Sequence, residues 1–205
     1  MSVITISRQF GAGGKTFGRR IADTLEYYYA NEDIIDRAVV EIHASSDGRK
    51  IIESEPADKL KKFISKLNPF KVSLMELPLN DKERYIDGFK YAELLNLIIP
   101  KIAKNGNAII VGRGGQFILY DSDDTYHLLL IANEEDKIKF IEDNYHVSSA
   151  RAIQMIKRMN KRRVNLYNFL GKKDYRDSRH YDLVLNMSQL SIDKAEELVF
   201  KLING

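Results

Sequence analysis

The chain has 205 residues, of which 44% are hydrophobic and 30% charged, so it suits one domain, residues 1–205, with a substantial apolar core. A net charge of +3 does not indicate a nucleic-acid or membrane partner, and the lack of cysteine excludes disulfides and thiol catalysis. Its four histidines show no metal-ligand spacing and no apolar run approaches membrane-spanning length, so we expect a cytoplasmic enzyme.

A glycine-rich turn follows the first predicted strand, Val3–Ile6, and leads into a segment with helical apolar spacing. Glycines let backbone N–H groups approach an anion, a lysine reaches terminal phosphates, and a hydroxyl can hold Mg²⁺. This order favours a phosphate-binding loop over a glycine-rich linker, although Gln9 stands where the strict motif has glycine. The predicted phosphate-binding residues are Gly11, Ala12, Gly13, Gly14, Lys15 and Thr16.

Further continuously apolar runs are typical of buried parallel strands. They lie at Tyr27–Tyr29, Ala108–Val111, His127–Ile131 and Leu183–Asn186. Helical patterns separate them, and alternating strands and helices predict a three-layer α/β fold with about five parallel strands and helices on both faces.

Three helices in the second half have recognisable N-caps, which are Asn133, Ser148 and Ser191. We expect the first helix to run to about Asp143 and the second to end at Gly171. The side chains available for the buried side of the second helix are Ala152, Ile156, Met159, Val164, Tyr167 and Leu170.

Residues 45–104 interrupt the alternation and are interpreted as a helical insertion. The segment is polar and lysine-rich near its middle, carries Pro56, Pro69 and Pro78, and contains no convincing strand. Lys82–Ala103 predicts a long helix with Pro100 as a kink near its end. The insertion is interpreted as an acceptor clamp or mobile lid, or alternatively as a decoration or a contact between the two copies of a homodimer.

Two further groups of basic residues are candidates for the same site. Arg113 stands between glycines after an apolar strand, and the carboxyl ends of parallel strands line one crevice. The run from Lys157 to Arg163 contains Arg158, Arg162 and Arg163, and phosphoryl transfer needs cations around the transferring group. The alternatives are an exposed turn for Arg113 and, for the run, a solvated helix face or a nucleic-acid patch.

Four segments together resemble the cytidylate kinase-like family, a branch of the phosphate-loop NTPases. They are Ile4–Gly14, Val111–Gly114, Asn160–Phe169 and Tyr181–Asn186. The resemblance implies a five-stranded parallel sheet, a nucleotide-donor site at the loop, an acceptor clamp after a neighbouring strand, and an arginine-rich lid.

Carried onto this sequence, the resemblance implies a role for each matching residue. The segment Gly11–Thr16 would bind the phosphates of ATP, with Lys15 catalytic and Thr16 directed towards Mg²⁺. Arg113 would hold the acceptor phosphate. A lid at residues 155–180 would close over the transferring group with Arg158, Arg162 and Arg163. The expected activity is Mg²⁺-dependent phosphoryl transfer from ATP to a nucleoside monophosphate such as CMP, with nucleotides, and neither nucleic acid nor membrane, as partners.

Three positions depart from the family pattern. Asn31 and Asn160 are amides where the family usually has aspartate, and Val111 stands where cytidylate kinases often carry an acidic residue. An amide accepts hydrogen bonds but cannot neutralise a cation. We therefore expect CMP turnover to be weak or absent, with triphosphate binding retained. The alternatives are a regulatory nucleotide-binding protein with a degenerate kinase site, and a nucleic-acid-binding module that uses the basic helix.

Overall fold

Five parallel strands form a sheet in the order β2-β3-β1-β4-β5. The computed structural model describes residues 2–44, 52, 56–66, 86–172 and 174–205. The strands are β1 (Val3–Arg8), β2 (Tyr28–Ala30), β3 (Ala108–Val111), β4 (Thr125–Ile131) and β5 (Leu183–Asn186). The predicted parallel sheet is confirmed. β1 is longer than predicted because Ser7 and Arg8 continue its pairing with Leu129 and Leu130 of β4.

The central strand β1 is buried along its whole length. The Thr5 hydroxyl lies 2.7 Å from Nδ1 of His127 on β4, so two polar groups within the sheet are paired with each other. Beyond the strand ends, the Gly112 N–H donates to the Ile6 carbonyl and the Gln9 N–H donates to that of Leu130. The turns that follow β1 and β3 therefore lie side by side.

Helices cover both faces of the sheet. They are α1 (Gly14–Leu25), α2 (Glu32–Ala44), α3 (Ala57–Lys66), α4 (Gly88–Ala103), α5 (Gly115–Ile118), α6 (Glu134–Tyr145), α7 (Ser149–Phe169) and α8 (Ile192–Asn204). One apolar core joins the sheet to α2 and α4 through residues such as Ile35 and Ile98. The other joins it to α1 and α8 through Phe17 and Val199, which gives the predicted three layers. None of the helices in the described ranges is long and apolar enough to cross a bilayer.

The predicted caps of the later helices are only partly correct. The hydroxyls of Ser148 and Ser191 accept from backbone N–H groups of α7 and α8, as expected. Asn133 occupies the N-cap position of α6, but its side chain makes no capping hydrogen bond. Val164 was predicted to be buried and is 45% exposed. The buried stripe of α7 runs through Ile156 and Tyr167, about three turns apart, and Val164 lies at its edge.

Helix α4 begins later than predicted, because Asp87 precedes it in extended conformation and caps it by accepting from the Phe89 N–H. Pro100 lies inside this helix near its end, as expected. Several side chains of α4 belong to the apolar core that it shares with α2, so α4 is part of the helical layer on that face of the sheet. Pro69 and Pro78 lie outside the described residues, as do residues 82–85 of the predicted helix.

Candidate active site

A cavity of about 410 Å³ lies at the carboxyl ends of β1 and β3. Its walls come from the turn after β1, the first turns of α2, the turn after β3, the end of α6 and the middle of α7. Parallel α/β sheets bind ligands at this edge, and the volume is that of a small-molecule site.

The turn after β1 has the geometry of a phosphate-binding loop. Gly13 is the N-cap of α1 with a φ of 74°, and nothing lies within 4 Å of where a Cβ would stand. Because glycine has no side chain to cap the first N–H groups of α1, these groups are available to an anion. Gly14, Lys15 and Thr16 line the same cavity. The Gln9 side chain turns away and accepts from the Ala132 N–H at 3.2 Å, so this departure from the strict motif does not obstruct the loop.

Gly11 and Ala12 lie behind the cavity wall. A Cβ on Gly11 would stand 2.9 Å from the carbonyl oxygen and Cβ of Lys137, so this glycine permits close packing against α6. Ala12 is buried in the core beside α1. Their contact with ATP remains a prediction.

Two carboxylates at the start of α2 hold the loop lysine. Nζ of Lys15 lies 2.7 Å from Asp33 Oδ2 and 3.4 Å from Glu32 Oε1. The preceding residue, Asn31, caps α2 by accepting from the Ile34 N–H at 3.0 Å. Asn31 has no carboxylate, and the next two residues, Glu32 and Asp33, place carboxylates beside Lys15. Sequence reasoning missed both, although paired acids in a first helical turn after a strand were a usable signal.

Arg8, the last residue of β1, forms the floor of the cavity and was also missed. Its buried guanidinium forms an ion pair with Glu32. Burial lowers the pKa of Arg8 to about 9, and the positive charges of Arg163 and Arg113 act in the same direction. The available signal was a long basic side chain that continues an apolar strand.

The predicted acceptor residue, Arg113, lies on the cavity wall and is paired with a buried acid of α2. Arg113 and Asp36 form an ion pair in which Asp36 is 4% exposed, and the Tyr91 hydroxyl donates to the same carboxylate. Burial raises the pKa of Asp36, and the charge of Arg113 opposes that rise. Burial by itself lowers the pKa of Arg113, but the nearby carboxylate of Asp36 raises it above its usual range. This ion pair fixes Arg113 between Gly112 and Gly114.

Two of the three predicted lid arginines reach the cavity. Arg162 and Arg163 line it, whereas Arg158 does not. The catalytic role of all three arginines remains a prediction. Burial, followed by the charges of Arg113 and Arg158, lowers the pKa of Arg162. Nη1 of Arg163 and Oδ1 of Asn160 are buried with no hydrogen-bond partner in the part of the chain that the structure describes.

The charges around the cavity favour an anionic ligand. Five cationic side chains line it, Arg8, Lys15, Arg113, Arg162 and Arg163, against three carboxylates, Glu32, Asp33 and Asp36. Crowding like charges in a partly buried site is unfavourable unless an anion joins them. Phosphate oxygens match both the charge and the guanidinium geometry.

An aromatic wall stands beside these charges. Phe10 and Tyr145 have ring centroids 6.2 Å apart, and Phe140 lines the cavity with them. Nδ2 of Asn144, on the same wall, donates to the carbonyl of Phe140 at 2.8 Å. The cavity therefore offers an apolar surface for a planar group as well as a cationic one for phosphates.

A strand, glycine-rich loop and helix on a parallel sheet of this order, with a cationic cavity at the strand ends, define the fold of a phosphate-loop kinase. The chain belongs to the cytidylate kinase-like family, whose model matches residues 3–189. This membership confirms the resemblance on which the expected site residues depend, and it supports nucleotide-dependent phosphoryl transfer.

Solved structures with the same fold include an uncharacterized protein from Eubacterium ventriosum ATCC 27560. Its TM-score is 0.68 at 19% identity, covering 100% of this chain and 99% of that one. A shikimate kinase from Bacteroides thetaiotaomicron has a TM-score of 0.51 at 12% identity, with 100% and 99% coverage. Identities this low show a shared fold and carry no information about the acceptor. The search of curated proteins found no match.

Proposed function

We propose that the protein transfers the γ-phosphoryl group of ATP to a nucleoside monophosphate such as CMP in a Mg²⁺-dependent reaction. The observation that carries this proposal is the convergence of Lys15, Arg113 and Arg163 on one cavity. These cations come from the first turn of α1, the turn after β3 and the helix α7. Three separate cationic elements suit two phosphate-bearing ligands that meet end to end.

The donor side is supported by the uncapped start of α1 and by Lys15. When the phosphates of ATP bind, Lys15 exchanges its carboxylate partners, Asp33 and Glu32, for phosphate oxygens. The charge-assisted contact then stabilises the negative charge on the terminal phosphates.

The residues beside Lys15 fit a magnesium ion. Thr16 and the two carboxylates of α2 supply oxygen donors to the same cavity, and Mg²⁺ prefers oxygen ligands. Among the residues that the structure describes, no group of three or more acids or histidines could hold a metal ion, which is consistent with binding largely through phosphates and water. Magnesium, when bound, neutralises charge on the phosphate oxygens. Thr16 would hold the ion, and Asp33 would orient its water ligands.

The acceptor side is supported by Arg113 and the lid arginines. A nucleoside monophosphate is largely dianionic at neutral pH, because its second pKa is about 6, so its oxygen attacks without a general base. Arg113 orients that phosphate, while Arg162 and Arg163 neutralise the group in transfer. The wall of Phe10, Phe140 and Tyr145 provides a surface on which a base can stack. A cytoplasmic location, where free nucleotides occur, fits this proposal.

A coupled assay of ADP formation tests the proposal with CMP, dCMP, UMP and AMP as acceptors. We expect turnover of at least one of them, with Mg²⁺ required. Lys15→Ala should weaken ATP binding by at least about tenfold, or roughly 1.4 kcal/mol, when measured by calorimetry. Lys194→Ala, which removes a surface lysine of α8 paired with Glu197, is the control and should bind ATP as wild type does.

Two results contradict the proposal. Equal ATP affinity in wild type and Lys15→Ala would place the donor elsewhere. Tight ATP binding without turnover of any nucleotide would favour the regulatory alternative or a different acceptor. Asn160→Asp distinguishes a weak enzyme from an inactive one, because a carboxylate beside Arg163 should raise a low turnover and cannot create an absent one.

A further inference from the structure

One buried side chain connects the two turns that the proposed function assigns to donor and acceptor. A Cβ on Gly14 would stand 2.7 Å from Cγ of Arg8, and a Cβ on Gly112 would collide with its Nη1. Gly14 belongs to the donor loop and Gly112 to the turn that carries Arg113. The Arg8 side chain therefore passes from one turn to the other along the floor of the cavity, in space that both glycines leave open.

The charge environment of Arg8 is more positive than a structural ion pair requires. Glu32 contacts its guanidinium, and Glu32 also lies 3.4 Å from Nζ of Lys15, so this carboxylate is shared between two cations. Burial and the neighbouring Arg163 and Arg113 nevertheless destabilise the charged guanidinium. An anion added to the cavity would remove that cost, since it would lie among all of these groups.

We propose that Arg8 is a catalytic residue that donates hydrogen bonds to the phosphoryl group as it passes from donor to acceptor. The inference rests on the proposed phosphotransferase function and adds a residue to it. An oxygen of the acceptor phosphate forms a bond to the γ-phosphorus, and the bond from that phosphorus to the β–γ bridging oxygen breaks. The electron pair stays on ADP, and no proton has to move.

The geometry suits this role because charge in such a transfer spreads over the three equatorial oxygens of the moving group. A planar guanidinium fixed by packing presents its donors without reorganisation, and Arg162 and Arg163 reach the same cavity from helix α7. Arg8 from β1 and the arginines of α7 would then hold the transferring group together.

The test uses binding of a transition-state mimic and does not depend on the acceptor. Calorimetry would measure the affinity of wild type, Arg8→Gln and Arg8→Lys for ADP with Mg²⁺, alone and with aluminium fluoride. We expect wild type to bind the fluoride complex at least about 100-fold more tightly than ADP. Arg8→Gln should bind ADP within about threefold of wild type and lose most of that gain. Arg8→Lys should retain only part of it, because an ammonium cannot donate two parallel hydrogen bonds.

A matched control separates this role from the loss of an ion pair. Arg20 donates to Glu196 at 2.7 Å and pairs with Asp193, on α8 and away from the cavity. Arg20→Gln should leave both affinities unchanged. Millimolar guanidinium chloride should partly restore fluoride-complex binding to Arg8→Gln, which a purely structural role does not predict. Should Arg8→Gln fail to fold, Arg8→Lys carries the test, because it keeps a long cationic side chain at this position and should still lose part of the preference for the fluoride complex.

The inference is overturned if folded Arg8→Gln keeps the full preference for the fluoride complex, or if wild type shows no such preference. It is also overturned if ADP and its fluoride complex weaken equally, because that pattern indicates a ground-state or structural contact. Failure of the proposed function is a different result: wild type would bind the fluoride complex tightly and still phosphorylate no nucleoside monophosphate.

Discussion

The turns after β1 and β3 have similar sequences, but their glycines accommodate different partners. In the first turn, Gly13 faces open space inside the cavity. In the second, Gly112 faces the guanidinium of Arg8, and a Cβ on Gly114 would lie 2.5 Å from Leu170 at the end of α7. Glycine thus leaves room for a ligand at Gly13 and for the protein's own side chains at Gly112 and Gly114.

This difference shows how the two sides of the cavity are built. The turn after β1 leaves an uncapped helix end for an incoming anion. The turn after β3 is already in contact with Arg8 on the floor of the cavity and with Leu170 at the end of α7. A change in the second turn is therefore expected to affect both floor and lid, whereas a change at Gly13 affects the donor side.

The largest expected effect on stability lies within the first turn. A Cβ on Gly11 meets the backbone and Cβ of Lys137 at 2.9 to 3.0 Å, and the φ of this glycine is 92°. Because no side-chain rotation relieves a backbone clash, Gly11→Ala should lower the free energy of unfolding by about 3 kcal/mol. Gly13→Ala is the matched control and should cost about 1 to 2 kcal/mol for its left-handed backbone alone. Urea unfolding measures both, and equal losses would show that the packing of Gly11 against α6 is not important.

The second expected effect concerns the lid. Binding of a bisubstrate nucleotide analogue should slow amide hydrogen exchange in residues 155–180, because Arg162 and Arg163 would bind its phosphates. Gly114→Ala pushes Leu170 away, so the protection gained on binding should fall by about tenfold, or roughly 1.4 kcal/mol. Unchanged exchange in an occupied wild-type site would show that α7 is a static helix.

The smallest expected effect lies in the sheet beneath both turns. Burial lowers the pKa of His127, while Asp182 opposes the change. The folded state therefore binds fewer protons at this site than the unfolded state, and the free energy of unfolding should fall as the pH drops through the ordinary histidine pKa of about 6.5. His127→Gln should remove this part of the pH dependence without changing ATP affinity. A parallel pH profile in wild type and variant would contradict the assignment.

Much of the fold could be predicted from the sequence because its signals are local. Continuous apolar runs located all five strands, and Ser148 and Ser191 marked helix starts, since burial period and capping depend on residues a few positions apart. The phosphate-binding loop followed from the order of strand, glycines, lysine and helix. The start of α4 was missed although the cap at Asp87 is a local signal, whereas the exposure of Val164 was missed because the edge of a buried stripe depends on what packs nearby.

The sequence by itself determined the parallel sheet, the loop around Lys15 and the presence of basic residues on α7. Only the tertiary structure decided which charges meet: Lys15 with the carboxylates of α2, Arg113 with Asp36, and Arg163 but not Arg158 at the cavity. It also placed Arg8 between two turns separated by about a hundred residues. The physical reason is that the register of parallel strands brings together chain segments that no local pattern connects.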